Sequence, residues 1–214
     1  ENFLDWLNLS NPSRWLLRTI RLSYAIHFAR RPPKFHGILS TLVRGEITAV
    51  FRAEIAVLLA KDAIETVPSD KMKKGFYSPY FIVPKKVGAL RSILDLRILN
   101  WALLKLPFKM LTLKHILTGV RDQDWFVAID LKDAYFYVSI LSRHRPFLRF
   151  AFEGRAYQYK VLLFGFSLSP RVLPKVAEAA LAPLREVGIH ILNYLDDWLI
   201  LAHSRDLVCT HRDV

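Results

Sequence analysis

The chain has 214 residues, 52% hydrophobic and 23% charged, a balance that permits a buried core and excludes a disordered chain. Lysine and arginine total 31 against 19 acidic residues, and this net charge of +12 favours a polyanionic partner as much as a basic soluble surface. Cys209 is the one cysteine in the sequence, which excludes an intramolecular disulfide and a thiolate zinc cluster.

No apolar run in the sequence approaches the roughly 20 residues that a membrane-spanning helix needs. The residues that follow Glu1 lack the charged and then apolar pattern of a signal peptide. We therefore expect an intracellular protein of the cytoplasm or nucleus, neither secreted nor bound to a membrane. A start at glutamate further suggests a fragment of a longer product.

Residues 1–45 form a predicted N-terminal extension in which aromatic side chains alternate with arginines. An amphipathic segment docked on the domain fits this composition, and so does a contact for single-stranded nucleic acid. Docking is the favoured interpretation, and Pro32 with Pro33 predicts an extended connector. Residues 46–66 follow with apolar side chains at near-helical spacing.

The middle of the chain predicts an α+β fold, with helices on one face of an antiparallel sheet. A short apolar run at 125–129 predicts a buried strand that ends at Asp130. Ser169 and Pro170 open a predicted helix, in which Pro174 and Pro183 must lie near the start or at a kink. The other predicted elements are strands at 80–84 and 90–94 around a turn at Val87 and Gly88, helices at 96–104 and 112–119, and a hairpin of 147–152 with 155–161.

Acidic residues interrupt two apolar regions of the sequence. Asp130 ends the first, whereas Asp196 and Asp197 form the predicted tip of a hairpin between the runs 189–195 and 198–202. Clustered buried carboxylates require a neutralising cation, and two Mg²⁺ ions roughly 3.5–4 Å apart support phosphoryl transfer. A polar turn with a capping aspartate explains the pattern equally well. The residues alone do not separate a polymerase from a nuclease.

Several ordered motifs lie within residues 46–202. They are 78–80, 91–100, 129–136 (Ile-Asp-Leu-Lys-Asp-Ala-Tyr-Phe), 163–170 (Leu-Phe-Gly-Phe-Ser-Leu-Ser-Pro) and 194–197 (Tyr-Leu-Asp-Asp). In this combination and order they resemble the motifs of reverse transcriptases. Within retroelements, segments 81–86, 131–135 and 194–202, with support from 28–35, look most like those of DIRS-type elements.

The resemblance implies the fingers and palm of a right-hand polymerase, with an antiparallel palm sheet backed by helices. Residues 46–124 would be mainly fingers. Residues 125–214 would be mainly palm, with a fingers portion near 140–165. The chain would end soon after the aspartate hairpin, without a thumb.

The resemblance also implies the site residues. Asp130, Asp196 and Asp197 would be catalytic and would hold two Mg²⁺ ions, replaceable by Mn²⁺, together with the carbonyl of Leu131. Tyr135 would exclude a 2′-hydroxyl and so favour deoxynucleotides, unless it is an ordinary core tyrosine. The residues implied to bind the incoming nucleotide are Lys85, Lys86, Arg91, Asp133, Ala134, Tyr135, Phe164 and Gly165.

The implied function is template-directed DNA synthesis by a retrotransposon reverse transcriptase. Its partners would be an RNA or DNA template with a primer, dNTPs, and the thumb and RNase H domains of the remaining polyprotein. The alternatives are a catalytically incompetent remnant that only binds nucleic acid and, less favoured, a two-metal nuclease. Asp95 is expected to order the fingers rather than to take part in the chemistry.

Overall fold

The structure is a computed structural model that describes residues 12–84, 90–110 and 112–214. The structure describes the side chains of these residues except at positions 84, 90, 91, 92 and 113. The predicted turn at 87–88 lies outside the described residues. Helices and strands both occur, as the α+β prediction requires.

The chain divides into two units. Unit 1 consists of the described part of Glu1–Arg18 with Leu106–Ala134 and Pro170–Val214, and unit 2 consists of Thr19–Lys105 and Tyr135–Ser169. The elements in chain order are α1 (Arg14–Leu22), β1 (Ser40–Thr41), α2 (Glu46–Ala60), β2 (Ile64–Thr66), β3 (Tyr80–Pro84), β4 (Leu90–Leu94), α3 (Arg97–Ala102), α4 (Leu113–Gly119), β5 (Trp125–Asp130), β6 (Arg149–Phe152), β7 (Arg155–Tyr159), α5 (Ser169–Glu186), β8 (His190–Tyr194), β9 (Asp197–Ala202) and α6 (Arg205–Arg212).

Unit 1 contains an antiparallel sheet in the order β5-β9-β8. Side chains alternate between the two faces of a strand, so Ile191 and Ile200, which are direct partners, project to the same face. On that face they form a buried core with Leu181 of α5 and Val208 of α6. The two helices therefore cover one face of the sheet, and burying each such side chain contributes about 1.5–3 kcal/mol.

Helix α5 continues through both of its internal prolines. Pro174 and Pro183 remove helical hydrogen-bond donors, which in an isolated helix would cost about 3 kcal/mol or more. Val172 and Leu181 are nonetheless only 0% and 1% exposed. Val172 lies before Pro174 and Leu181 lies between the two prolines, so their burial shows how packing supports a helix that local preference disfavours.

Unit 2 is built around a sheet in the order β1-β6-β7-β2, with the separate β3–β4 hairpin. Aromatic rings fill its core. Phe150 stacks on Tyr80 with ring centroids 4.3 Å apart and on Tyr157 at 5.3 Å, while Phe51 stacks on Phe152 at 5.3 Å. Such stacked pairs add about 0.5–1.5 kcal/mol each beyond the burial of their area.

The structure confirms the predicted strands at 80–84 and 90–94 and corrects three other expectations. The helix expected within 46–66 ends at Ala60, because residues 64–66 pair with β7 instead. The first strand of the hairpin begins at Arg149 rather than 147, since 142–147 forms a 3₁₀-helix. Strand β5 forms as predicted but is not buried, because Phe126 is 64% exposed.

The structure also bears on membrane insertion. Among the described residues, no helix combines the length and the apolar character needed to cross a bilayer.

Candidate active site

Two aspartates face each other across strands β5 and β9. Asp130 is the last residue of β5 and Asp197 the first residue of β9, and the two are direct partners in the antiparallel register. Direct partners have Cβ atoms about 4.5–5.5 Å apart and project to the same face of the sheet. The register therefore brings together two of the three carboxylates that the sequence singled out.

Tyr194 extends this pair into a row of three side chains. It is the direct partner of Asp197 on β8, so Asp130, Asp197 and Tyr194 lie side by side on one face, which we call the aspartate face. These residues are three positions from Val127, Ile200 and Ile191, whose side chains belong to the helix-covered core. An odd spacing places them on the opposite face, away from α5 and α6.

The third aspartate lies in the turn between β8 and β9. Leu195 and Asp196 form this two-residue turn, in which Leu195 has the positive φ of 56°. The backbone carbonyl of Asp196 accepts a hydrogen bond of 2.9 Å from the N–H of Leu131. This bond ties the turn to the end of β5, next to Asp130.

The predicted hairpin tip therefore needs a correction. The two residues of the turn are Leu195 and Asp196, not Asp196 and Asp197. Asp197 is the first residue of β9 and pairs with Asp130. The predicted burial is also wrong, since Asp130 and Asp197 are exposed and Asp196 is half-buried. Solvation of these carboxylates removes the argument that only a cation could allow their burial.

The donor chemistry of this end of the sheet fits a hard cation. The carboxylates of Asp130 and Asp197 supply oxygen ligands, the class that Mg²⁺ prefers. Within the part of the chain that the structure describes, however, no three His, Cys, Asp or Glu side chains gather into a group able to hold a metal ion. The register thus assembles two ligands, and the carboxylate of Asp196 is not gathered with them.

Tyr135 packs against Phe164 in unit 2. Their ring centroids are 4.9 Å apart with an interplanar angle of 83°, an edge-to-face contact. Tyr135 is 7% exposed, whereas Phe164 is 44% exposed. The structure therefore brings two of the predicted nucleotide-binding residues together, with the phenylalanine accessible to solvent.

Two further predicted nucleotide-binding residues lie next to Tyr135 in the chain. Ala134, the first residue of the 3₁₀-helix Ala134–Tyr137, is 4% exposed, and Asp133 before it has a φ of 55°.

Asn100 holds the loop that contains Phe164 and Gly165. Its Nδ2 donates to the carbonyl of Gly165 at 2.7 Å, and its Oδ1 accepts from the N–H of Ser167 at 3.0 Å. Gly165 has a φ of 84°, which favours glycine. The sequence places Asn100 in a motif but does not assign it this role, and the available signal was one asparagine within the otherwise apolar run 98–104.

Asp95 pairs with Arg97 in the segment after β4, and the prediction that it orders the fingers stays a prediction. Its carboxylate accepts hydrogen bonds from Arg97, including one of 2.6 Å from Nη2. These hydrogen bonds from the guanidinium lower the pKa of Asp95 below its usual value. Lys85 and Lys86 lie outside the described residues. Arg91 lies in β4 opposite Val83, and its side chain lies outside the description.

Comparison with known proteins adds to this geometry. The sequence profile of a family described as reverse transcriptase (RNA-dependent DNA polymerase) matches residues 83–213. The chain is 30% identical over 139 residues, 60% of its length, to the Gag-Pol polyprotein of Rous sarcoma virus subgroup B (strain Schmidt-Ruppin). It is 29% identical over 163 residues, 71% of its length, to the Gag-Pro-Pol polyprotein of squirrel monkey retrovirus.

A third relative comes from a mouse element. The Pol-related polyprotein of the mouse intracisternal A-particle MIA14 is 29% identical over 165 residues, 72% of this chain. The matched part spans 8% of the length of each of the two viral polyproteins and 18% of the mouse polyprotein.

Proposed function

Because the chain belongs to the reverse transcriptase (RNA-dependent DNA polymerase) family, we propose that it forms the fingers and palm of a retroelement polymerase. In this proposal it extends a primer with dNTPs on an RNA or DNA template. The observation that carries the proposal is the pairing of Asp130 with Asp197 at the end of the aspartate face, next to the turn that contains Asp196. Unit 1 would then contain the palm sheet, with α5 and α6 behind it.

The aspartates would bind and orient the reacting groups. Two Mg²⁺ ions, when bound, would lower the pKa of the primer 3′-hydroxyl and stabilise charge on the departing pyrophosphate. Asp130 and Asp197 would hold these ions with Asp196 and the carbonyl of Leu131. The hydrogen bond from Leu131 to Asp196 supports this role, because it holds the turn against the end of β5. The 3′-hydroxyl would lose its proton to solvent as its oxygen bonds to the α-phosphorus, and the bond between the α-phosphorus and the pyrophosphate oxygen would break.

The nucleotide would be held by residues from two stretches of the sequence, 85–91 and 133–165. Lys85, Lys86 and Arg91 would pair with the triphosphate, for which ammonium and guanidinium groups are suited. The ring of Tyr135 would lie under the sugar, and Phe164 with Gly165 would line the base. The contact between Tyr135 and Phe164 supports this, since each ring fixes the position of the other. Asp133 and Ala134 would supply backbone contacts.

The proposal extends to the element from which the chain derives. The resemblance of the motifs favours a DIRS-type retrotransposon, replicating inside the cell. The thumb and RNase H functions would belong to the remaining polyprotein. The matched relatives are polyproteins of which this chain spans a small share, which agrees with such an arrangement.

A primer-extension assay tests the function. The purified chain would be incubated with a primed RNA template, dNTPs and Mg²⁺, beside the double variant Asp196→Ala, Asp197→Ala. We expect extension by the parent and a loss of at least about 100-fold in the variant, the typical scale for removing transition-state electrostatics. Asp122→Ala, Asp206→Ala is the matched control, since it removes two exposed carboxylates of unit 1 and the same charge.

A binding-only remnant is the alternative, and the absence of a three-residue metal group among the described residues is the observation that favours it. No extension by the parent, with salt-sensitive binding that the Asp196, Asp197 variant retains, would establish this alternative for the chain. Repeating the assay with a longer product that includes the proposed thumb would then separate an inactive site from a need for that domain. Magnesium-dependent cleavage without added nucleotides would instead identify a nuclease.

A further inference from the structure

Residues 27–30 of the N-terminal extension are joined by backbone hydrogen bonds to the end of α3 and to Leu104 in unit 2. The N–H groups of Ala29 and Arg30 donate to the carbonyl of Ala102 at 3.0 and 3.2 Å, and that of Leu104 donates to His27 at 2.8 Å. These bonds fix the segment 27–30 beside the helix. The position of Arg30 is therefore set by the backbone and not only by its long side chain.

Arg30 stacks on an exposed tryptophan of α3. Its Cζ lies 3.8 Å from the centroid of the Trp101 ring, within the range of a cation–π contact. Trp101 remains 67% exposed, although Leu99 and Ala102 of the same helix are 0% and 2% exposed. The helix thus buries Leu99 and Ala102, and it presents to solvent both Ile98, which is 61% exposed, and an indole with a stacked guanidinium.

The two segments that meet at this contact carry charges of one sign. Segments 27–34 and 97–105 contain no aspartate or glutamate. Arg97 pairs with Asp95, whereas the cations that remain are exposed. We define the Arg30–Trp101 platform by its members, which are Arg30, Arg31, Lys34, Trp101 and Lys105.

We propose that the Arg30–Trp101 platform binds single-stranded nucleic acid. An unpaired base would stack on the indole and guanidinium, and the neighbouring cations would contact phosphates. Planar π-faces with interleaved cations are the chemistry by which proteins hold single strands without sequence preference. A duplex hides its base faces, so the aromatic part of the platform contributes only to the unpaired strand. The inference rests on the proposed function in taking that strand to be the template.

Binding without catalysis tests the platform. The full chain would be titrated into a labelled single-stranded RNA and, separately, into the same sequence as a duplex, with EDTA present to remove metal ions. We expect Trp101→Leu to weaken single-strand binding by roughly 5- to 100-fold, the scale of one lost stacking contact. Duplex binding and the dependence on salt should stay unchanged, because no charge is lost.

Trp125→Leu is the matched control, since Trp125 is also half-exposed, at 51%, but lies in unit 1 outside the platform. Arg30→Gln should lower single-strand affinity and also reduce the salt slope by about 0.7 if its charge contacts a phosphate. Equal affinities for Trp101→Leu and Trp125→Leu would overturn the proposal. So would equal losses on single strand and duplex.

The outcome separates this inference from the proposed function. The Asp196→Ala, Asp197→Ala variant should retain full single-strand binding, since its changes lie in unit 1. Extension by the parent without any effect of Trp101→Leu on binding overturns the platform and leaves the polymerase intact. Selective loss of single-strand binding in Trp101→Leu, without extension by the parent, supports the platform and counts against the polymerase function of this chain.

Discussion

At the scale of single residues, Tyr135 offers a direct test of substrate choice. Its ring is 7% exposed and lies edge-on to Phe164. If it lies under the sugar, Tyr135→Val should open space for a 2′-hydroxyl and raise the use of rNTPs relative to dNTPs by roughly 10- to 100-fold, the usual discrimination over one hydroxyl. Primer extension with each nucleotide set would measure the ratio.

Tyr137 provides the control for this substitution, because it is a tyrosine of the same 3₁₀-helix that is 74% exposed. Tyr137→Val should leave the ratio unchanged, and Tyr135→Phe should keep the discrimination because it keeps the ring. A Tyr135→Val protein that is less stable but discriminates like the parent would identify Tyr135 as a core residue only.

At the scale of elements, the basic loop between β2 and β3 is anchored by a buried arginine. Arg149 is 3% exposed, and its Nη1 donates to the carbonyls of Lys71 and Lys74 at 2.8 and 2.5 Å. Gly75 closes this loop with a φ of 81°. The loop presents its lysines to solvent while its backbone is held from beneath by the guanidinium.

Gly75→Ala should destabilise unit 2 strongly. A Cβ at Gly75 would lie 2.4 Å from the backbone oxygen of Pro146, whereas a Cβ at Gly154, with a φ of 72°, meets nothing within 4 Å. Both alanines carry the strain of a left-handed backbone, about 1–2 kcal/mol. We expect Gly75→Ala to lower the free energy of unfolding by about 1–3 kcal/mol more than Gly154→Ala, because of overpacking. Urea unfolding would measure the free energy of unfolding of both variants. Equal decreases would contradict the prediction and show that the loop shifts to accommodate the new Cβ.

At the scale of the whole molecule, the net charge of +12 predicts salt-sensitive binding to nucleic acid. Each phosphate neutralised on a single strand releases condensed counterions, so the logarithm of the association constant should fall linearly with the logarithm of the salt concentration, by about 0.7 per contact. Fluorescence anisotropy over a salt series measures this slope. Binding that does not change with salt would contradict a binding surface based on phosphate contacts. It would show that apolar contacts supply the affinity.

The sequence by itself determined where most elements lie and singled out the residues to which we assign the chemistry as a proposal. The strands at 80–84 and 90–94 match the structure, because a local pattern of apolar residues and a turn is enough to define a hairpin. The acids at 130 and 196–197 were also recognisable from a local pattern, because they interrupt apolar runs. The order of the motifs then predicted the family to which the chain belongs.

Only the tertiary structure decided which surfaces are covered and which distant residues meet. Phe126 is exposed because the helices that the structure describes pack on the other face of β5, and an apolar run in a sequence does not show which face will be covered. The register of β5 with β9, not local spacing, places Asp197 opposite Asp130. Asn100 reaches Gly165, and Arg30 reaches Trp101, across long stretches of chain. Such contacts depend on how elements pack, and packing is a property of the folded whole.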